Sequence, residues 1–187
     1  SPRVRLEPLT GCELLVGRCK TTLWANMAHD DPNTYEMELK AVDSCKPDDV
    51  LIGAASGSMR SGIWGELLST AAGNSGCVGA IIDGAVRDVA KMRVMGFACF
   101  ARGTCIYDSM NRQRVINDKA TTITAVRLLD LLPEHPMVTL PSAMQLLNTT
   151  KPTAIKTINV LCKTAILHEI SGKRRGRIYA YRAYLNI

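Results

Sequence analysis

The chain has 187 residues, of which 47% are hydrophobic and 21% are charged, and its formal net charge at pH 7 is +6. This composition is typical of a globular protein and excludes a disordered or collagen-like chain. Hydrophobic runs stay well short of the roughly 18 residues that a membrane-spanning helix needs, and no signal peptide is visible, so we expect a cytoplasmic protein. The seven cysteines include no C-x-x-C pair, which argues against a zinc or disulfide framework.

The first third of the chain predicts strands separated by one helix. Strand-like pieces cover residues 14–19 and 21–24, and a buried strand covers residues 50–55, before a Ser-Gly-Ser loop. Between these strands, Thr34 is positioned to cap a helix. The residues expected to share one face of this helix are Tyr35, Leu39 and Val42.

Residues 65–76 predict a second helix, and residues 78–82 predict the strand that follows it. The apolar run of this strand is continuous, as in strands that are buried on both faces. Asp83-Gly84 is expected to end the strand. The apolar residues that recur at helical spacing in the helix are Leu67, Leu68, Ala71 and Ala72.

A further amphipathic helix follows this strand and has Arg87 and Asp88 at its N-terminus. In open α/β sheets, ligands bind where the carboxyl ends of strands meet such helix termini. Residues 97–101 predict the next strand, and the alternation of strands and helices predicts an α/β fold with a mostly parallel sheet. The expected buried side of the helix consists of Val86, Val89, Ala90 and Met95.

The polar residues of this stretch predict a site for a small carboxylated ligand. A helix N-terminus that begins at Gly65 offers unpaired N–H groups to an anion, and the missing side chain permits close approach. Arg87 can bind a carboxylate with two parallel hydrogen bonds, whereas Asp88 and Glu66 are hard oxygen donors suited to Mg²⁺ or Mn²⁺. The alternative is that Arg87 and Asp88 are a surface ion pair that caps a helix.

Gly65-Glu66 is separated by twenty residues from Arg87-Asp88, and the words WGELLSTAA, GAIIDGAVRD and MGFACFARGT surround this pattern. With these words, residues 3–116 resemble the family of the regulator of ribonuclease activity A and the class II 4-hydroxy-4-methyl-2-oxoglutarate/4-carboxy-4-hydroxy-2-oxoadipate aldolases. The resemblance implies a swivelling β/β/α body, only partial here because the sequence lacks the family's closing strands.

The same resemblance implies how the site works. It implies a lyase that depends on a divalent metal ion and that assembles as a trimer or a hexamer. Asp88 would hold the metal directly or through water, and Glu66 is the second candidate metal ligand. The positions that the resemblance assigns to substrate binding are Gly65, Glu66, Leu67, Leu68 and Arg87.

The charge balance changes along the chain. Residues 1–117 hold 13 Lys and Arg against 13 Asp and Glu, whereas residues 118–187 hold 10 against 4. We therefore predict a domain boundary between residues 117 and 118, and an acidic partner such as nucleic acid for the second domain.

The second domain has the pattern of a winged helix-turn-helix. An amphipathic helix over residues 122–132 precedes a short helix and then a third helix with Pro152 in its first turn. Strands over residues 166–170 and 177–181 flank a basic hairpin tip, in the order that a winged helix has. The residues that the third helix is expected to bury are Ile155, Ile158, Leu161 and Cys162.

This domain resembles the C-terminal winged-helix domain of Fic-family proteins in the words LLPEHPMVTLPSAMQLLNTTKPTA and GKRRGRIYAYRAYL. The His-Pro-Phe motif of Fic catalysis is absent, so we expect no nucleotidyl transfer. Winged helices bind nucleic acid, bind protein or only pack, and these alternatives stay open. The residues expected to contact phosphates or to face a groove are Lys151, Thr153, Lys156, Thr157, Lys173, Arg174, Arg175 and Arg177.

The sequence therefore supports two hypotheses. The first is a metal-dependent carbon–carbon lyase that cleaves a 4-hydroxy-2-oxo dicarboxylate to pyruvate and also decarboxylates oxaloacetate. The second is a nucleic-acid-binding or regulatory protein that acts through the winged helix and has an inactive aldolase-like part.

Overall fold

The structure is a computed structural model, and it describes residues 5–28, 32–110, 112–115 and 123–185. The chain divides into two compact units, Ser1–Trp24 with Asp31–Val115 and Ala25–Asp30 with Ile116–Ile187. The predicted domain boundary between residues 117 and 118 lies outside the described residues. In the described ranges, no helix is long and apolar enough to span a membrane.

The first unit is built on a six-stranded sheet with helices in the connections. The strands are β1 (Glu7–Pro8), β2 (Arg18–Asn26), β3 (Asp49–Trp64), β4 (Gly79–Val86), β5 (Ala98–Thr104) and β6 (Gln113–Val115). The helices are α1 (Glu36–Asp43), α2 (Glu66–Asn74) and α3 (Val89–Val94).

The strand order is β1-β5-β4-β3-β2-β6. β2, β3, β4 and β5 run parallel to one another, and β1 pairs antiparallel with β5. The predicted α/β fold is therefore confirmed, with a mixed sheet. Leu51, Ala80 and Cys99 lie side by side on adjacent strands and are almost fully buried, as expected for parallel strands covered on both faces. Burial raises the pKa of the Cys99 thiol to about 12, and all seven cysteines are free.

Two predicted strand ends were wrong because β3 and β4 contain irregular pairings. β4 continues through Asp83-Gly84 to Val86, with a register shift between Ile82 and Ala85. A side chain at Gly84 would lie 2.9 Å from the carbonyl oxygen of Ser58, so this glycine permits close strand approach. The predicted Ser-Gly-Ser loop is likewise part of β3, where bulges take up the extra residues.

Three predicted helix faces also need correction. Leu67 is 76% exposed, because α2 packs through Leu68, Ser69 and Ala72 instead. Of the residues predicted for the buried side of α3, Val86 belongs to β4, Ala90 is exposed, and Met95 is exposed and lies beyond the end of the helix at Val94. The residue that α3 buries instead is Met92. The residue that precedes α1 is Tyr35 and not the predicted cap Thr34. On this helix Leu39 is exposed and Glu38 is buried.

The second unit combines helices with a small antiparallel sheet. Its helices are α4 (Ile123–Leu131), α5 (Leu140–Leu147), α6 (Lys151–Lys163) and α7 (Arg182–Leu185). Its strands β7 (Met137–Thr139), β8 (His168–Glu169) and β9 (Ile178–Ala180) have the order β7-β9-β8. Thr139 and Ser142 form a reciprocal capping box at the start of α5.

One prediction for the surface of α6 was wrong. Thr157 was expected to be exposed, but it is fully buried and its hydroxyl donates a hydrogen bond to Thr124 Oγ1 on α4. Ile155, which was expected to be buried, is 41% exposed, and Cys162 is half-buried. The buried face of α6 therefore differs from the face that the apolar residues predicted. The reason is that the hydrogen-bonded pair of Thr157 and Thr124 occupies part of the contact between α4 and α6.

Candidate active site

The candidate site lies where β3 and β4 end. β3 leads through Gly65 into α2, and β4 leads through Arg87 and Asp88 into α3. The backbone N–H of Arg87 donates to the carbonyl oxygen of Trp64 at 2.8 Å, so the two strand ends are joined at this point. The structure therefore brings the segment of Gly65 and the segment of Arg87 and Asp88 together.

Gly65 makes the close approach possible. A side-chain Cβ at this position would lie 2.6 Å from Asp88 Oδ2 and 2.8 Å from Arg87 Cγ. The backbone of Gly65 is extended, so the space, and not an unusual backbone conformation, is what requires glycine. The first N–H group of α2, that of Glu66, donates to Asp88 Oδ2 at 3.3 Å.

The guanidinium of Arg87 is held in place by the main chain. Its Nη1 donates to the carbonyl oxygen of Gly62, and its Nε lies 3.7 Å from Asp88 Oδ2. The side chain is 20% exposed. Since a guanidinium has five N–H donors in a rigid fork, an anchored arginine of this kind can also bind a carboxylate.

Asp88 does not act as a side-chain cap for α3. Its backbone adopts the left-handed conformation with φ 55°, and its carbonyl oxygen accepts from Lys91 and Met92 at 3.0 Å each. Its carboxylate points to the N-terminus of α2 instead, and the side chain is 40% exposed. A left-handed non-glycine residue at this position is an unfavourable conformation that the surrounding contacts must stabilise.

Glu66 forms an ion pair in which Lys91 Nζ lies 2.6 Å from Glu66 Oε2, and this contact raises the pKa of Lys91. Leu67 and Leu68 contribute the next backbone amides of α2. Within the described ranges, no group of three His, Cys, Asp or Glu side chains is arranged to hold a metal. Asp88 and Glu66 are the two carboxylates at this position, and a Mg²⁺ ion is often held by only one or two carboxylates plus water and substrate oxygens.

Four residues that the sequence analysis did not select lie beside this site. Tyr35 Oη donates to Asp108 Oδ2 at 3.1 Å, and Ser109 Oγ donates to Glu38 Oε2 at 3.3 Å. Burial raises the pKa of Glu38 to about 7, against a smaller lowering by Ser109 and Arg87. Glu38 is four residues before the buried Val42, a spacing that allows a shared face, but the apolar Leu39 fits the same periodicity and was the residue predicted for that face.

The basic candidates of the second unit surround a separate cavity of about 560 Å³. Lys151, at the start of α6, lines it together with Arg174, Arg175 and Arg177 from the segment between β8 and β9. Lys156 lines a neighbouring groove along α6. Lys173 is exposed, Thr153 is half-buried and Thr157 is buried, so the eight predicted residues do not form one surface.

Comparisons with known proteins extend over the first unit. A family model described as RraA-like, Aldolase/RraA, matches residues 3–127. The chain is 35% identical over 101 residues to "Putative 4-hydroxy-4-methyl-2-oxoglutarate aldolase" of Halalkalibacterium halodurans, covering 54% of this chain and 45% of the relative. The chain thus spans about half the length of this curated relative.

Two solved structures show the same fold at low sequence identity. A crystal structure described as novel cellulases from microbes associated with the gut ecosystem has a TM-score of 0.55 and 20% identity, over 60% of this chain and 50% of that one. An uncharacterised protein from Pseudomonas syringae pv. tomato has a TM-score of 0.51 and 21% identity, over 59% and 48%. At this identity, the likeness concerns the fold alone.

Proposed function

The chain belongs to the RraA-like family, Aldolase/RraA, and we propose that its first unit is a metal-dependent lyase that cleaves a 4-hydroxy-2-oxo dicarboxylate to pyruvate. The observation that carries this proposal is the convergence of Gly65, Arg87 and Asp88 at the ends of two parallel strands. The similarity to an aldolase of this name supports the substrate class. Oxaloacetate is a second proposed substrate, because its decarboxylation gives the same pyruvate enolate.

In the proposed mechanism, Arg87 binds and orients a carboxylate of the substrate. The N–H groups at the start of α2 bind substrate oxygens, since they carry the partial positive charge of a helix N-terminus. Asp88 is the principal ligand of a Mg²⁺ or Mn²⁺ ion, and Glu66 is the second. Such an ion, when bound, supplies positive charge that stabilises the enolate formed as the carbon–carbon bond breaks.

We also propose that the first unit works as a homo-oligomer, a trimer or a hexamer as in the family that it resembles. Large apolar side chains are exposed on the segment that follows β5, next to the Asp108 and Ser109 pairs. Ile106 is 88% exposed and Met110 is 53% exposed. A second subunit against this segment would cover these side chains and would bound the site on its open side.

The metal assignment predicts a specific effect of Asp88→Asn. Replacing a ligand carboxylate by an amide weakens divalent-ion binding, so we expect the Mg²⁺ concentration for half-maximal pyruvate release to rise by about ten-fold or more. Pyruvate release from 4-hydroxy-4-methyl-2-oxoglutarate, followed over a Mg²⁺ series, measures this. Asp43→Asn is the matched control, because Asp43 is an exposed aspartate at the end of α1. An unchanged Mg²⁺ requirement in Asp88→Asn would disprove the assignment.

A second candidate function concerns the second unit, for which we propose a winged-helix fold related to that of Fic-family C-terminal domains and binding of nucleic acid. The supporting observation is the cavity of about 560 Å³ whose lining includes Lys151, Arg174, Arg175 and Arg177. Basic side chains on both a helix start and a neighbouring hairpin are suited to phosphates of a nucleic-acid backbone. In this alternative, the aldolase-like unit is inactive and serves as a sensor or a scaffold.

The double substitution Arg174→Ala/Arg175→Ala tests this second function. We expect the affinity for a 20-base-pair DNA duplex or a single-stranded RNA to fall at least ten-fold, and the slope of log affinity against log salt to decrease by about two. Fluorescence anisotropy over a salt series measures both quantities. Lys163→Ala/Arg182→Ala removes the same charge from exposed positions outside that cavity and serves as the control. Equal losses in the two variants would indicate only non-specific attraction by net charge.

A further inference from the structure

A buried carboxyl group on α1 lies next to the candidate site and has no role in the mechanism above. Glu38 is 5% exposed, and its hydrogen-bond partner Ser109 is 1% exposed. Buried carboxyl groups are rare, because ionisation in an apolar environment is unfavourable. The next residue, Leu39, is exposed, so at this point of α1 the glutamate faces inward and the apolar side chain faces outward.

A series of hydrogen bonds links Glu38 to Arg87 by way of Gly62. Gly62 N–H donates to the carbonyl oxygen of Tyr107 at 2.7 Å, and the carbonyl oxygen of Gly62 accepts from Arg87 Nη1. Tyr107 immediately precedes Asp108 and Ser109, which bond to Tyr35 and Glu38. The segment that holds the Glu38 carboxyl group is therefore bonded to the same glycine that anchors the guanidinium.

The charges around Glu38 come from three elements. From the end of β4, the positive charge of Arg87 lowers the pKa of Glu38, and from the segment after β5, Asp108 raises it. At the start of α1, burial, Asp108 and Glu38 raise the pKa of Tyr35, and Arg87 lowers it. Among the described residues, the positive charge that lowers the pKa of Glu38 is that of Arg87, whose guanidinium is anchored on Gly62.

We propose that Glu38 is a positioning residue whose protonation state controls how strongly Arg87 binds the carboxylate of the substrate. When Glu38 is protonated, the charge of Arg87 is available to the substrate. When Glu38 is ionised, its negative charge lowers the attraction between Arg87 and a second carboxylate, because both anions lie in a partly desolvated region where charges interact strongly. The inference rests on the proposed function for its ligand, a 2-oxo acid.

Thermodynamic linkage makes the proposal testable without turnover. If ionised Glu38 weakens anion binding, then a bound anion must favour protonated Glu38 by the same factor. Binding of pyruvate near pH 7 should therefore be accompanied by uptake of protons from the buffer. The effect should weaken far from neutrality, because Glu38 is then either protonated or ionised in both the free and the bound protein.

The experiment measures pyruvate binding by calorimetry, in the presence of Mg²⁺, from pH 5.5 to pH 8.5. We expect the dissociation constant of the unsubstituted protein to rise about ten-fold across this range and that of Glu38→Gln to stay nearly constant, which corresponds to a coupling of about one pKa unit. Asp108→Asn is the control, since it keeps Glu38; its rise should remain but lie at lower pH, because the charge of Asp108 raises the pKa of Glu38. The proton uptake near pH 7 should be lost only in Glu38→Gln.

The outcomes separate the two proposals. The same pH dependence in Glu38→Gln and in the unsubstituted protein would overturn the role of Glu38, even if lyase activity is found. Pyruvate binding with the expected dependence but without lyase turnover would overturn the proposed function and leave the role of Glu38 supported. Failure of pyruvate to bind at any pH would overturn both.

A purely structural role is checked by thermal unfolding. Because Glu38 has a raised pKa in the folded protein, its ionisation disfavours the folded state, and this loss develops as pH rises from the usual glutamate range to about 7. The Tm of the unsubstituted protein should therefore fall relative to that of Glu38→Gln by roughly 5 °C over this range. A constant difference in Tm would mean that Glu38 does not titrate there, and would overturn the proposal.

Discussion

Substitution of Arg87 by alanine is expected to lower pyruvate release by about a thousand-fold, equivalent to about 4 kcal/mol of transition-state stabilisation. Arg87 is anchored on the carbonyl oxygen of Gly62 and lies between this main-chain contact and Asp88. The substitution therefore removes the proposed carboxylate anchor and also the cation that lies 3.7 Å from Asp88 Oδ2. Steady-state measurement of kcat/KM with 4-hydroxy-4-methyl-2-oxoglutarate and with oxaloacetate, both with Mg²⁺, provides the value.

The matched control for this prediction is Arg18→Ala. Arg18 also bonds to a carbonyl oxygen, that of Pro47, and lies 3.4 Å from the carboxylate of Asp49. It belongs to the same unit but lies at the opposite ends of the parallel strands, where β2 and β3 begin. We expect less than a three-fold change in kcat/KM from Arg18→Ala. A comparable loss in both variants would mean that Arg87 acts on folding and not on the substrate.

The second large effect is expected from Gly65→Ala. The new methyl group would overlap Asp88 Oδ2 and Arg87 Cγ, so both side chains would have to move away from the N-terminus of α2. Because displacements of about 1 Å at a catalytic site cost on the order of a hundred-fold in rate, we expect a loss of at least that size in kcat/KM. The atoms that must move belong to side chains that are 20% and 40% exposed, so the fold itself should tolerate the change.

Gly73→Ala is the control on the same helix. The nearest atom to a methyl group at Gly73 is Phe97 Cδ2 at 4.0 Å, which is an ordinary van der Waals distance. Alanine is the better helix former by about 1 kcal/mol, so this variant should be fully active and slightly more stable. Circular dichroism and Tm measurements on both variants separate loss of activity from loss of fold. Full activity in Gly65→Ala would contradict the proposed arrangement of the site.

The convergence at the candidate site was predictable, because local sequence specifies each of its parts. Gly65, Arg87 and Asp88 follow strands of strongly apolar sequence, and parallel strands with helical connections necessarily bring such positions to one edge. The close contact between Gly65 and the two side chains of the second segment is the direct result. The α/β fold itself followed from the same alternation of strands and helices.

Other features depend on distant partners, and no local pattern specifies them. Glu38 is buried because Ser109, 71 residues away, offers it a hydrogen bond, whereas periodicity alone favoured Leu39. β4 continues past Asp83-Gly84 because the bulged β3 pairs with it there. Thr157 is buried and donates a hydrogen bond from its hydroxyl group to Thr124 Oγ1. In each case, a tertiary hydrogen bond or pairing outweighs the local signal.

The bulges of β3 have a consequence for how this scaffold diversifies. Residues 50–64 of β3 pair with only the eight residues 79–86 of β4, so the surplus length is absorbed in the register shifts between Ala54 and Trp64. The outer ends of this pairing are Val50 opposite Gly79 and Trp64 opposite Val86. The segment between them also contains Gly62, whose carbonyl oxygen accepts from Arg87 Nη1, so a change in the length of this segment would displace the guanidinium. We therefore expect this scaffold to vary here in its exposed side chains and not in its length.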